Sequence, residues 1–585
     1  MQRRSTALVV VALGAVAASW SAGAADPAPE HLELDKRVQE VAALAGEPAV
    51  YESMGVSRGD VPMRSIESRE PLDGPKRRLV ILGGLDGNDR GTDAVLGAVR
   101  WFKTQAPAAL RQGWTVVALP CGNPEGWAQL KPTNDSGGKP AVNYPPETNF
   151  FNDRMNVEAR YIWRWVAFQA PDLVLDVRGG NRINWSVPPA YAALGAAVKA
   201  QPLVAMDTPA MSLSRGNPSG LGTVPTLVAD ARATDGPEVL RQALEAGASL
   251  PRSPMRQAVV RRLARPPLEV ATVLARKYPQ MTSIAYIPAV AWSGTLRLAR
   301  LKNDPSLVEK VRQQVAPWLT GAMAAVNEKP DGVNLAGHIV FADLADLEKD
   351  EAAKKLALDA AALYVPENPA DPAKFGQLWC ENMFMSATLL GRAAKLGNQP
   401  GYYDLMARTL TQYSTKLQQP TGLFQHAAES PTCWGRGNGF ASLGLMEALT
   451  ALPASHPQRA AILSIYQKQM AALKRVQTPE GTWREVIDHP ESYREVTATA
   501  MNLASMARGI RLGWLDKSYL PVVDRAWSGL SARIAEDGGL ADVCTGTGAG
   551  PNLRYYYERP AVFGFDDRGG GMSLLAALEV AELRK

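Results

Sequence analysis

The sequence predicts a multi-domain protein: an α/β domain followed by an all-α domain of repeated helix hairpins. Three observations carry this. The chain has 585 residues, more than one hydrophobic core normally serves. Between residues 78 and 180, short apolar runs alternate with helical patterns, the signature of a parallel sheet with helices on its faces. From about Leu298 that alternation stops. Long helical patterns follow, and Gly422, Gly481 and Gly539 recur about every 58 residues, enough for two helices and a loop per unit.

The N-terminus reads as a signal peptide, residues 1–24. Arg3 and Arg4 precede an apolar run from Ala7 to Ala18, and Ala22-Gly23-Ala24 suits cleavage after small residues. The run is short for a bilayer span, and no second run is long enough. An exported protein, periplasmic or secreted and without a membrane span after cleavage, is expected. Lys and Arg number 63 against 58 Asp and Glu, with no basic cluster. That balance argues against a nucleic-acid partner. Cys121, Cys380, Cys433 and Cys544 lack framework spacing and read as buried free thiols, with a Cys380–Cys433 bridge as the alternative.

Residues 25–75 read as a leader or linker. In the α/β domain, residues 76–295, strands are expected at 78–82, 114–119 and 173–177, and helices at 92–104 and 156–168. Ligands of such sheets bind beyond the carboxyl ends of the strands, where residues 83–89, 122–127 and 178–181 fall. In the helical domain, residues 300–585, helices are expected at 307–327, 378–394, 402–417, 441–452, 459–476, 495–512 and 519–534. The short extended pieces LFQH, TWREV and GLADV after the recurring turns would line a cleft at one rim.

Candidate chemistry gathers at that rim. Trp434 to Phe440 reads WGRGNGF, and its alternate glycines predict a tight turn or a close approach to a ligand. Arg436 can take a carboxylate with two parallel hydrogen bonds. Trp434 offers a flat apolar face, and Asn438 both a donor and an acceptor. The competing reading is a structural turn with Trp434 in the core and Asn438 capping the next helix. WCENMFM (379–385) opens a helix with the carboxylate of Glu381. LFQH (423–426), WREVIDHP (483–490), ESYRE (491–495) and DVCTGTG (542–548) complete the set.

On these strings, in this order, the C-terminal half resembles the unsaturated glycuronyl and rhamnogalacturonyl hydrolases. These are families 88 and 105 of the glycoside hydrolases, and family 105 is the nearer. The resemblance implies an (α/α)6 barrel without cofactor. It implies, as partner, an unsaturated uronic-acid oligosaccharide left by a polysaccharide lyase. Ordinary glycosidases place two carboxyls across the scissile bond. In the families it resembles, one acid protonates the carbon–carbon double bond, water adds at the adjacent ring carbon, and the hemiketal opens to release the sugar. The family's catalytic aspartate falls on Glu381, one methylene longer. His426, Trp434 and Arg436 match substrate-contacting positions, and Phe440 stands where a tryptophan is common. Asn438 and Trp483 are placed with them, Trp483 (like Tyr493) reading equally as core. Asp331 matches a second conserved acid or caps a helix. A non-catalytic sugar-binding or scaffold protein is the alternative function.

The loops of the first domain resemble the zinc carboxypeptidases over residues 78–292. Asp86 and Asp89 stand at the family's His and Glu ligand positions, Asn123-Pro124-Glu125-Gly126 at its Asn-Pro-Asp-Gly loop, and Arg178 at its last histidine. Arginine cannot ligate a metal, and zinc prefers nitrogen and sulfur. A degenerate domain without metal or peptidase activity is therefore expected.

Overall fold

Among the residues described by the computed structural model, 28–145, 153–216 and 220–585, the first half forms one eight-stranded mixed sheet. The strands are β1 (Val50–Val56), β2 (Pro62–Glu67), β3 (Arg77–Gly83), β4 (Trp114–Leu119), β5 (Leu173–Gly179), β6 (Asn184–Val187), β7 (Gln201–Pro202) and β8 (Thr226–Ala231). They lie in the order β1-β2-β4-β3-β5-β8-β6-β7. The centre, β4-β3-β5-β8, is parallel. Its strands are apolar runs buried on both faces, as parallel strands require. The proposed signal peptide lies outside the described residues.

Among the described residues, 28–75 are not a linker. Helix Pro29–Ala43 and the β1–β2 pair belong to this domain, and β2 pairs with β4. Ser53, Ser65 and Glu67 are buried within the two strands, so polar inward positions hid the alternation of a half-buried strand.

Helix α1 (Asp89–Thr104) covers one face of the sheet, and α2 (Val157–Gln169) the other. Every residue of α2 is buried, because its far side meets the second half of the chain. Trp163 and Trp165 share a core with Trp434, Val486, Tyr493 and Tyr556. Ion pairs cross the same boundary: Arg164 to Asp542 at 3.0 Å, Arg484 to Glu52 at 3.0 Å and Arg494 to Glu67 at 3.1 Å.

The second half contains twelve long helices, alternately outer and inner. The outer ones are α3 (Pro267–Lys277), α5 (Pro305–Leu319), α7 (Glu351–Leu363), α9 (Gly401–Leu417), α11 (Arg459–Arg475) and α13 (Leu520–Ser531). The inner ones are α4 (Tyr286–Lys302), α6 (Ile339–Glu348), α8 (Cys380–Leu396), α10 (Gly435–Ala451), α12 (Val496–Arg511) and α14 (Asp567–Leu583). Each inner helix packs on the next, and α14 returns to α4, closing the ring. The barrel thus starts at Pro267 rather than near residue 300. Helix α3 packs on α14, so the two segments given to the α/β domain from sequence close the toroid. Helix α5 stops at Leu319, short of the expected 327, with Gly321 at φ +77° soon after.

The repeat turns follow the glycines: Gly422, Gly481 and Gly538 take φ of +99°, +91° and +90°, a region open to glycine without strain. The third is Gly538 rather than its neighbour Gly539. Near the carboxyl ends of the inner helices, one charge from each alternates in sign: Arg297, Asp343, Arg392, Glu447, Arg508 and Glu579. Arg392 pairs with Asp343 and Glu447, Arg508 with Glu447 and Glu579, and Arg297 with Glu579. This belt ties five neighbouring helix contacts together; between Asp343 and Arg297 the link passes instead through Arg300 and Asp346.

Candidate active site

The amino ends of the inner helices carry the other constellation. Glu381 and Arg392 stand eleven residues apart on α8, roughly 16 Å along the axis. Glu381 sits in the first turn, where the helix dipole favours negative charge. The side chain of Asn382 accepts from the N–H groups of Gln377 and Trp379 and fixes that turn.

WGRGNGF is helix, not turn. Helix α10 begins at Gly435, and none of its glycines takes a positive φ. They are needed for close packing. A Cβ on Gly435 would lie 2.0 Å from the Arg484 carbonyl, one on Gly439 2.9 Å from Met501, and one on Gly444 2.6 Å from the Met383 backbone. The helix therefore seats deep against α8 and α12.

Glu381 is 8% exposed and lies against His426, which is wholly buried. Nε2 of His426 stands 3.2 Å from Oε1 of Glu381, and Oε2 of Glu381 has no partner. Nδ1 of His426 stands 2.6 Å from the Tyr556 hydroxyl. The imidazole packs on Trp434 at 4.4 Å between centroids and edge-on to Trp379 at 5.6 Å. Trp434 in turn meets the Arg436 guanidinium at 4.6 Å. Carboxyl, imidazole, indole and guanidinium thus form one contiguous row.

Beneath it lies a second buried carboxyl. Trp434 Nε1 and the Cys544 thiol donate to Glu485 Oε1 at 3.0 and 3.1 Å. Burial, with Glu495 next, pushes the Glu485 carboxyl up to about 8, against the pull of Arg436. Burial thus favours the protonated form of Glu485.

Several sequence assignments change here. Arg436 does not present an open fork: Nη1 donates to the Cys544 carbonyl at 2.6 Å and Nη2 to that of Thr545 at 2.7 Å. Its charge remains beside the row, but its geometry closes the DVCTGTG loop. Asn438, 0% exposed, spends both amide hydrogens on the Phe424 and Trp434 carbonyls and accepts from the Phe424 N–H. Phe440, 1% exposed, packs between Tyr286 and Phe384. Trp483, 0% exposed, donates to the Leu473 carbonyl. These three are enclosed in the fold and show no face to the cleft. Trp434 and His426 are also enclosed and reach a ligand only through their neighbours. Asp331 is exposed and caps a short helix by accepting from the Asn334 N–H at 2.8 Å. The four cysteines are free and buried.

Tyr556, Ser430 and Glu485 were not found from sequence. The run Tyr555-Tyr556-Tyr557 was the visible signal, but nothing in it points 130 residues back to His426. Trp379, Tyr286, Thr545, Arg559 and Arg568 are half-buried, and Gly546 is exposed. Tyr286 responds electrostatically to Arg436, Glu381 and Arg568, so these charges share one neighbourhood.

In the first domain, the three loops do meet at the carboxyl ends of β3, β4 and β5. Arg178 is bound to Asp176 through Nε and Nη2. Glu125 accepts from the Ser57 hydroxyl and the N–H groups of Gly59 and Asp135. Asn88 caps α1, and the Asp86 carboxyl accepts from the Asn88 N–H.

The helical half of the chain is similar to known proteins. Over 220 residues the chain is 28% identical to the unsaturated rhamnogalacturonyl hydrolase YesR of Bacillus subtilis strain 168, covering 36% of this chain and 61% of that one. Over 173 residues it is 25% identical to an unsaturated 3S-rhamnoglycuronyl hydrolase of Alteromonas sp. strain LOR, covering 27% and 42%. The chain therefore spans between two-fifths and three-fifths of the length of these relatives. A family 105 glycoside hydrolase of C. acetobutylicum ATCC 824 superposes with a TM-score of 0.50 at 21% identity, over 54% of this chain and 98% of that one, a likeness of fold. The model of Glycosyl Hydrolase Family 88 matches residues 269–584, from within α3 to the end of α14, and the chain belongs to that family.

Proposed function

We propose that the protein removes the unsaturated uronyl residue from the non-reducing end of polysaccharide-lyase products by hydrating its double bond. The observation that carries this is Glu381: an acid at the amino end of an inner helix, one oxygen against His426 and the other buried without a hydrogen-bond partner. One carboxyl in that setting can give a proton to the double bond and take one from the attacking water. A uronyl substrate brings its own carboxylate beside the double bond. We place that carboxylate toward Arg568 and Arg559, each held through part of its fork, by Asp566 and by Thr545 and Gly546 respectively, with Arg436 behind them as a fixed cation. Arg568→Ala should then raise KM more than it lowers kcat, and an unchanged KM would remove Arg568 from this role.

The test of the function is a screen of lyase products from pectin, rhamnogalacturonan, glycosaminoglycans and ulvan, followed by loss of ultraviolet absorbance from the double bond. Turnover of at least one is expected. Binding without turnover would make the protein a sugar-binding module.

We further propose export, on the basic, apolar and small-residue pattern of residues 1–24. We read the first domain as a carboxypeptidase-like fold that buttresses the barrel rather than cleaving peptides. The Arg178–Asp176 pair occupies the position where a metal ligand would be needed. Stoichiometric zinc in the purified protein would refute that reading.

A further inference from the structure

The hydrogen bonds behind Glu381 admit a proton count. The Ser430 hydroxyl lies 2.8 Å from the Gly550 carbonyl, which can only accept, so its single proton goes there. Ser430 Oγ also lies 2.7 Å from the Tyr556 hydroxyl. With its own proton spent, Ser430 accepts, and Tyr556 donates to it. The Tyr556 oxygen then accepts from the Gly550 N–H at 2.9 Å, and its remaining lone pair faces Nδ1 of His426 at 2.6 Å. Nδ1 must therefore carry a hydrogen.

We propose that Ser430 and Tyr556 are positioning residues: they fix His426 as its Nδ1–H tautomer, so that its bare Nε2 takes a hydrogen bond from the protonated carboxyl of Glu381. Which nitrogen of a histidine is protonated is set by the bond its other nitrogen makes. A doubly protonated imidazole against a carboxylate would be an ion pair at a residue with no solvent exposure, and burial disfavours it. The other groups around Glu381 do not supply the proton count with a charge of their own. Burial pushes the Cys380 thiol well up, and the Tyr286 and Tyr556 phenols to about 12. Arg436 is the nearby cation, and it is bound to carbonyls.

The consequence builds on the role proposed for Glu381. With hydrogen on Nδ1 and a neutral imidazole, the one hydrogen between Nε2 and Oε1 belongs to the acid. Once that proton passes to the double bond, the new carboxylate faces a bare nitrogen lone pair. It then gains by accepting a proton from the attacking water, which restores the starting state with no net change.

The test uses the full-length protein with 15N-labelled histidine, whose five histidines give a readable spectrum. His426→Asn identifies the signal. The wild type should show Nδ1–H and an unprotonated Nε2. Ser430→Ala frees the Tyr556 proton to donate to Nδ1, and Tyr556→Phe removes the acceptor. Both should convert His426 to the Nε2–H tautomer and lower kcat about tenfold or more with KM little changed. A wild type already in the Nε2–H or doubly protonated form would overturn the inference, as would an unmoved tautomer in Ser430→Ala. If Tyr556→Phe fails to fold, the wild type and Ser430→Ala still decide. The spectrum needs no substrate, so an absence of turnover would sink the proposed function and leave the tautomer result standing.

Discussion

Arg436 offers the sharpest separation between a structural and a ligand-binding role. Replacing it with methionine keeps an apolar stem against Trp434 but removes two charge-assisted bonds to the Cys544 and Thr545 carbonyls. Bonds of this kind are worth about 1.5–3 kcal/mol each. The two carbonyls left behind must find other donors, and partial relaxation offsets part of the loss. A destabilisation of about 2–4 kcal/mol is expected, from two buried acceptors that each cost about 1–3 kcal/mol when left unsatisfied. The assay is denaturant unfolding of wild type, Arg436→Met and Arg436→Lys, with product binding measured on the folded fraction of each. The lysine variant should be intermediate, because an ammonium on a flexible stem cannot bridge both carbonyls. If Arg436→Met unfolds like the wild type yet loses affinity for the unsaturated product, the guanidinium clasps the substrate after all.

Glu579→Gln should destabilise the barrel by about 3–5 kcal/mol, since it leaves Arg297, Arg508 and Arg511 facing a neutral amide. Burial works against the charge of Glu579, but Arg508 and Arg297 hold its carboxyl far below the usual range; an unchanged unfolding midpoint would show that the belt adds nothing. Glu485 should act in the opposite sense: its folded value of about 8 exceeds the unfolded value of about 4.3. Its proton is then held in the native state and released on unfolding, so stability falls as pH rises between those values, by up to about 1.4 kcal/mol per pH unit. Glu485→Gln should flatten that slope, as read from unfolding midpoints at pH 5, 6.5 and 8. Glu67→Ala strips Arg494 of a buried partner across the domain boundary and should cost about 3–5 kcal/mol; two separate unfolding transitions with an intact barrel would show that the domains stand independently.

Much of the fold was legible because its signals were local. The strands at 78–82, 114–119 and 173–177 are uninterrupted apolar runs, and they appear as β3, β4 and β5 within a residue or two. The repeat turns announced the hairpins through glycines that need positive φ. What failed was longer in range. Gly435, Gly437 and Gly439 look like turn residues because sequence shows glycine but not the neighbour that excludes a Cβ. Trp483 and Phe440 look like sugar platforms because an aromatic in a motif and one in a core read alike. Arg436 stands at the start of an inner helix, but its partners, the carbonyls of Cys544 and Thr545, carry no sequence mark. Tyr556 and Ser430 reach His426 from separate loops, and only the folded chain sets them in a line.

The central claim is that Glu381 supplies the proton that hydrates an unsaturated uronyl residue. It is tested most directly by following ultraviolet absorbance of a lyase-generated disaccharide with wild type and with Glu381→Gln, whose fold is checked by its unfolding curve. The account predicts steady loss of absorbance with the wild type and none above background with the variant. A folded Glu381→Gln protein that bleaches the substrate at near the wild-type rate would contradict it.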